Sequence, residues 1–260
     1  MTAAPQLILT ALPGVPLIQP GDDLAALILR AMAAIDLEFQ SGDVLVVAQK
    51  VVSKAEGRLV CLSDVTPTER AQKLAIEADK DPRLVQVILD ESAEVLRAAP
   101  GALIVQHRLG FVSANAGVDH SNVTGQPGRE EEPWVLLLPT DPDASARRLG
   151  ERLSRASGAE IAVLIIDSHG RAWRMGTVGV AIGVYHFPAL LDLRGEPDLF
   201  GEPLKITQVG LADEMGAAAS LLMGQAAEGR PFIHARGVPY PLREGSLPEL
   251  LRPREQDLFR

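Results

Sequence analysis

The 260-residue chain holds a single cysteine, Cys61, which excludes an intrachain disulfide and a multi-cysteine zinc site; any bound metal takes oxygen or imidazole ligands, pointing to magnesium or manganese. Aromatic residues are scarce at 4% while hydrophobic residues reach 47%, so the core is one of Val, Ile, Leu and Ala, from helices packed on sheets. No apolar run approaches the roughly 20 residues that cross a bilayer, and the opening Met-Thr-Ala-Ala-Pro has no charged segment ahead of a long apolar stretch. A cytoplasmic protein with no membrane partner is expected. The formal net charge is -9 with no basic tract, which argues against nucleic acid as a partner. An anionic nucleotide would need metal ions, lysines or backbone N–H groups to offset that charge. Gly-x-x-x-x-Gly-Lys-[Ser/Thr], Gly-x-Gly-x-x-Gly, Gly-x-Ser-x-Gly and His-Glu-x-x-His are all missing, so P-loop, Rossmann, nucleophile-elbow and zincin sites are set aside.

Helical and strand patterns alternate along the chain. Strands are expected at Leu7 to Ala11, Asp43 to Ala48, Ala102 to Gln106, Phe111 to Asn115, Ala159 to Ile166 and Pro231 to Arg236, with a Gly-spaced β-branched stretch between Met175 and Tyr185. Asp43-Val-Leu-Val-Val-Ala is continuously apolar past its first residue, the mark of a strand buried on both faces. Helices are expected over Leu24 to Glu38, Thr66 to Asp79, Pro82 to Leu96, Asp141 to Ala156 and Leu211 to Met223, the last stopped by Gly224. Gln49 to Arg58 reads as a polar loop, Gly125 to Glu132 as a mobile surface segment and the chain beyond Gly237 as an irregular tail. The order gives a mixed α/β (α+β) fold, not a doubly wound sheet.

Two acidic loops attract attention: Asp119 with Asn122, and Asp167 with Ser168, each just past an expected strand. A carboxylate beside a neutral oxygen donor suits a hard cation or a nucleotide. For either loop alone the commoner reading is an Asx turn capping itself. Gln49, Lys50, Ser53 and Lys54 form a second polar group, suited to a phosphate or equally to plain solvation. Histidines 107, 120, 169, 186 and 234 are scattered and read as structural or surface residues. Arg171, Arg174 and Arg194 flank glycines; they suit carboxylates or phosphates, with surface ion pairs as the default.

Four blocks, taken in order, resemble the coenzyme F-420-0:L-glutamate ligase family: Gly42-Asp-Val-Leu-Val-Val-Ala-Gln-Lys-Val-Val-Ser-Lys-Ala-Glu-Gly-Arg58, Gly110-Phe-Val-Ser-Ala-Asn-Ala-Gly-Val-Asp-His-Ser-Asn-Val123, Asp167-Ser-His-Gly-Arg-Ala-Trp-Arg174 and Leu211-Ala-Asp-Glu-Met-Gly-Ala-Ala-Ala219. The resemblance runs from about Leu12 to Gly237, and implies one ligase domain over 1–237, of one or two intertwined lobes, followed by a tail over 238–260. It implies a GTP-dependent enzyme joining L-glutamate to F-420-0, with Lys54, Asp119 and Asp167 as catalytic residues. GTP contacts would fall on Leu12, Pro13, Gly14, Val15, Gln49, Lys54, Asn122 and the loop Met223, Gly224, Gln225, Ala226, Ala227, Glu228, Gly229 and Arg230. Two divalent ions are implied, the first on Asp119 and Asp167, the second on Ser168 and Gln225. Mg²⁺ and Mn²⁺ both stay open, as do a part for K⁺ and the number of glutamates added. The family is associated with homodimers. Actinobacterial relatives carry a nitroreductase-like extension with no counterpart here, so the ligase alone is expected.

Departures from the family pattern are Ser168, where Thr is usual, Met175, and Tyr185-His186, where small residues are usual near the deazaflavin or lactyl end. Met175 and Tyr185-His186 motivate a second reading, an amide ligase of the same fold acting on another carboxylate; a third, from a different class, is a non-catalytic GTP- and metal-binding protein.

Overall fold

The computed structural model describes residues 4–258, leaving the first three residues of the N-terminal reading and the last two of the tail outside the described residues. In chain order the elements are β1 (Ile8–Ala11), α1 (Leu24–Ala33), β2 (Val44–Ala48), α2 (Gln49–Ala55), β3 (Leu59–Cys61), α3 (Glu69–Ala78), α4 (Pro82–Asp90), β4 (Ser92–Ala99), β5 (Ala102–His107), β6 (Val112–Ala114) and β7 (Trp134–Leu136). They continue as α5 (Pro142–Ser157), β8 (Ala162–Arg171), β9 (Arg174–Tyr185), β10 (Leu191–Asp192), β11 (Gln208–Val209), α6 (Leu211–Met223) and β12 (Phe232–Arg236). The helix starts follow their capping residues. Asp23 accepts from the Ala26 N–H, Asp141 accepts from the Ala144 N–H, and Pro82 occupies the first turn of α4, where its missing donor costs nothing.

The main sheet runs β1-β12-β2-β8-β9; only β2 and β8 are parallel. The apolar run of β2 divides by alternation. Leu45 and Val47 enter a core with α1 and α5, whereas Val44 and Val46 enter a second core with α6. A third core joins α3 and α4 to β5 and β7 in a smaller lobe whose sheet is β4-β5-β6. The result is a mixed α/β fold with no doubly wound sheet.

Several elements differ from the sequence-based expectation. Gln49 to Ala55 is a helix, not a loop: Val51 and Val52 are buried in the first core, and that packing overrides the polar composition. Helix α1 stops at Ala33, and Asp36, in the left-handed conformation (φ 53°), turns the chain before Glu38. Helix α4 stops at Asp90, where the Ser92 hydroxyl donates to the Ile88 carbonyl, and the helix-forming run beyond it pairs with β5 as a strand. Strand β8 continues through Arg171, so Asp167 and Ser168 lie within a strand rather than past one. The segment expected to be mobile is fastened: Arg129 bonds Asp64 and Glu132, and the Trp134 indole donates to the Arg129 carbonyl. In the tail, Leu247 donates its N–H to Asp143, and Arg254 pairs with Glu94.

Candidate functional site

A cleft of about 1610 Å³ is lined by α2, the loop after β6, the β8–β9 hairpin and the segment that follows α6. Strand β2 feeds directly into α2, so Gln49, Lys50, Ser53 and Lys54 project at helical spacing instead of trailing through a loop. Ser53, fully buried, donates to Gln49 Oε1 at 2.9 Å, and Gln49 Nε2 donates to Asp119 Oδ2 at 2.8 Å. This relay fixes which end of the amide meets the carboxylate. Next to Gln49, Lys50 Nζ lies 3.2 Å from Asp119 Oδ1 and donates to Ser121 Oγ at 2.8 Å, and one turn along Lys54 Nζ donates to the Asn122 carbonyl at 2.6 Å.

Asp119 is held by its backbone as well as its side chain. Its N–H donates to the Leu136 carbonyl and its carbonyl accepts from the Leu136 N–H, both at 2.9 Å. Ahead of it, Asn115, Ala116 and Gly117 all have positive φ, and Ala116 is buried; for an alanine this costs on the order of 1 kcal/mol, which the packing around it must offset. Burial pushes the Asp119 carboxyl above its ordinary range, the nearby Asp167 charge adds to this, and Lys50 and Gln49 oppose it. Burial also lowers the Lys54 ammonium, and repulsion from Lys50 adds to it.

Asp167 pairs with Val180 on β9, and His169 Nε2 lies 3.1 Å from its Oδ2. The His169 ring packs against Phe111, which stacks in turn on His107 in the smaller lobe. On the other side of the strand alternation, Ser168 Oγ donates to Gln225 Oε1 at 2.7 Å. Asn122 Nδ2 reaches the Ala226 carbonyl at 3.2 Å, closing the loop after β6 onto the segment after α6.

The residues expected to bind nucleotide and metal are therefore largely brought together. Gln49, Lys54, Asp119, Asn122, Asp167, Ser168 and the whole of Met223 to Arg230 line this one cleft. Of Leu12, Pro13, Gly14 and Val15, only Val15 lines it; Leu12 is fully buried in the first core and gives its N–H to the Phe232 carbonyl. Arg171 and Arg174 line the cleft, whereas Arg194 is spent on Asp192. His186 lies outside it, held between Glu160 and Glu244 at the far end of β9, and Met175 is almost wholly exposed and does not line the cleft. Sequence reasoning passed over the Ser53 relay and the His169 contact, whose only sequence traces are an i,i+4 Gln-Ser pair and an i,i+2 Asp-His pair on a strand.

Asp119, Asp167, Ser168 and Gln225 offer hard oxygen donors. No three His, Cys, Asp or Glu side chains gather as a metal group among the described residues, so a cation held here would complete its shell with phosphate oxygens and water, the habit of Mg²⁺ and Mn²⁺. Burial and the charge of Asp167 both raise the Asp119 carboxyl, and a divalent ion held here would offset that repulsion.

Residues 14–237 match the family described as F420-0:Gamma-glutamyl ligase. The chain is 45% identical over 249 residues to the coenzyme F420:L-glutamate ligase of Methanothermobacter thermautotrophicus, covering 95% of this chain and 96% of that protein. Identity is 45% over 247 residues to the enzyme of that name from Methanopyrus kandleri, covering 94% and 93% of the two chains. It is 43% over 247 residues to that from Archaeoglobus fulgidus, covering 95% and 94%.

Proposed function

We propose, from the premise that the chain belongs to the F420-0:gamma-glutamyl ligase family, that it is a GTP-dependent ligase forming an amide bond between L-glutamate and coenzyme F-420-0. One observation carries this reading: residues from separate stretches of chain, expected to hold nucleotide and metal, meet in one cleft, where Lys50 pairs with Asp119 and Lys54 bonds the Asn122 carbonyl.

The acceptor's terminal carboxylate oxygen attacks the γ-phosphorus of GTP, the bond to the β-bridging oxygen breaks, and GDP leaves with an acyl phosphate formed. The glutamate amine then attacks the acyl carbon, the C–N bond forms, the C–O bond to phosphate breaks and the amine gives up a proton. Phosphoryl transfer of this kind depends on positioning and charge neutralisation. Lys54, its charge disfavoured by burial and by Lys50, gains from a phosphate placed beside it, and Lys50 stands ready on the same helix face. Ser53 and Gln49 hold Asp119 in place. Mg²⁺ or Mn²⁺, held by Asp119 and Asp167 and by Ser168 and Gln225, would supply charge neutralisation on the phosphates. Assistance by K⁺, assembly as a homodimer and a cytoplasmic location belong to the same reading; among the described residues no helix is long and apolar enough to cross a membrane.

The test is incubation of the purified protein with F-420-0, L-glutamate, GTP and Mn²⁺, followed by chromatography and mass spectrometry of the deazaflavin. A product heavier by one or more glutamyl residues, lost when GTP or metal is omitted, is expected. Tight GTP binding without that product would overturn the reading in favour of another carboxylate acceptor or a non-catalytic binder.

A further inference from the structure

The cleft extends beyond the lysines and carboxylates. There its wall includes the outer face of the β4-β5-β6 sheet and the β8–β9 hairpin, with Pro16 to Gln19 and Asp257 also among the lining. Alternation along β5 sends Leu103 and Val105 into the core beneath α3 and α4 and leaves Ile104 facing the other way. The register sets Arg97, Ile104 and Ala114 side by side in one row across the three strands, with Val112 two residues from Ala114 on the same face. All four line the cleft; Val112 and Ala114 are exposed and Ile104 half-buried.

Three guanidinium groups, those of Arg97, Arg171 and Arg174, border this apolar strip. Arg58 pairs with Glu91, Arg129 with Asp64 and Arg236 with Asp43, whereas Arg97, Arg171 and Arg174, like Arg230 at the nucleotide end, take part in none of the ion pairs among the described residues. Arg171 gives one N–H to the Met175 carbonyl, and its buried Nε has no hydrogen-bond partner among the described residues. An apolar strip edged by fork-shaped cations outside any ion pair among the described residues matches a planar aromatic molecule carrying an anionic arm. It runs continuously into the end that holds Lys50, Lys54, Asp119 and Asp167.

We infer that this wing of the cleft is the acceptor site: the deazaflavin ring lies along Ile104, Val112 and Ala114, and Arg97, Arg171 and Arg174 receive the phosphate of its arm. The arm's terminal carboxylate then points to the phosphoryl-transfer end. The inference rests on the ligase reading above and adds the place and orientation of the acceptor.

The test titrates F-420-0 into the protein by its own fluorescence anisotropy and GTP by calorimetry, for the unaltered chain and for Arg97→Ala, Arg174→Ala and Ile104→Glu. These positions are exposed or half-buried, and a thermal melt checks that each variant stays folded. Affinity for F-420-0 is expected to fall about tenfold or more in Ile104→Glu and several-fold in each arginine variant, with GTP affinity within about twofold of the unaltered chain. Unchanged F-420-0 binding in all three folded variants, or a parallel fall in GTP affinity, overturns the assignment. An unaltered chain that binds no F-420-0 overturns the ligase reading itself and this inference with it.

Discussion

Ser53 shows how a residue with no contact to the cleft's open volume can govern it. Fully buried, it donates to Gln49, and Gln49 donates to Asp119. Ser53→Ala leaves the Gln49 carbonyl oxygen buried without that donor, so unfolding in urea should show a loss of about 1–2 kcal/mol. The freed amide can also rotate, and turnover should fall further than stability accounts for; an unchanged kcat would show that the relay has no part in positioning Asp119. Lys54 behaves differently, because among the described residues its side chain bonds only the Asn122 carbonyl, across the loop it faces. Lys54→Met should leave the melting temperature nearly unchanged and weaken GTP binding by about tenfold or more, read by calorimetry. At this scale the sequence was informative about residue types and less so about their aim. Gln49, Lys54, Asp119 and Asp167 could be picked out from runs that end strands, but Leu12 points into the core, because its strand neighbour Phe232 claims its backbone. His186 sits with Glu160 for the same kind of reason: β9 is long, and the residue that follows its end at Tyr185 emerges far from the hairpin that lines the cleft.

Elements seat the site through close backbone approach. Strand β9 and helix α6 touch at Gly179 and Gly216, and a Cβ built on Gly179 would stand 2.6 Å from the Gly216 carbonyl oxygen and 2.8 Å from Ser220 Cβ. That obstacle is backbone and cannot swing away. Gly179→Ala should therefore destabilise the protein by about 1–3 kcal/mol and push α6 off the sheet, carrying with it the segment from Met223 that lines the cleft. Gly170→Ala, on the same hairpin, meets nothing within 4 Å and should change stability by less than about 0.5 kcal/mol, so paired melts separate the two cases. The same packing explains which elements could be read in advance. The two-faced burial of β2 follows from its unbroken apolar run, and α5 and α6 follow from their spacing and stops. Helix α2 was hidden because four of its seven residues are polar and only Val51 and Val52 reveal its buried side. Strand β4 was hidden because Ala, Glu, Leu and Arg favour helices locally, and only pairing with β5, which no local window contains, makes them extended.

The whole molecule joins two lobes, and the aromatic column His107, Phe111 and His169 runs from the core of the smaller lobe to Asp167. His107 is almost fully buried; its Nδ1 accepts from the Leu109 N–H, and Nε2, 3.8 Å from Glu91 Oε2, has no hydrogen-bond partner among the described residues. Burial, aided by the charges of Arg108 and Arg58, lowers its pKa from 6.5 to about 4. The folded chain thus keeps this ring neutral while the unfolded chain protonates it below about 6.5. Between those values the unfolded state binds more protons, so stability falls as the pH falls, by up to roughly 3 kcal/mol at pH 4, and is unaffected by this group above pH 7. Asp43 acts in a lower window. Burial alone would raise its carboxyl, but hydrogen bonds from Arg236 and His234 outweigh this and hold it well below the carboxylate range, so its contribution is present above about pH 4 and is lost beneath it. Urea unfolding from pH 7.5 to 4.5 should accordingly show a decline that sets in near pH 6.5, before Asp43 titrates. His107→Asn, less stable at pH 7.5 through loss of its stack on Phe111, should flatten the decline between pH 6.5 and 4.5. A variant that keeps the full slope would place the acid sensitivity elsewhere and show that the column between the lobes carries no buried neutral histidine.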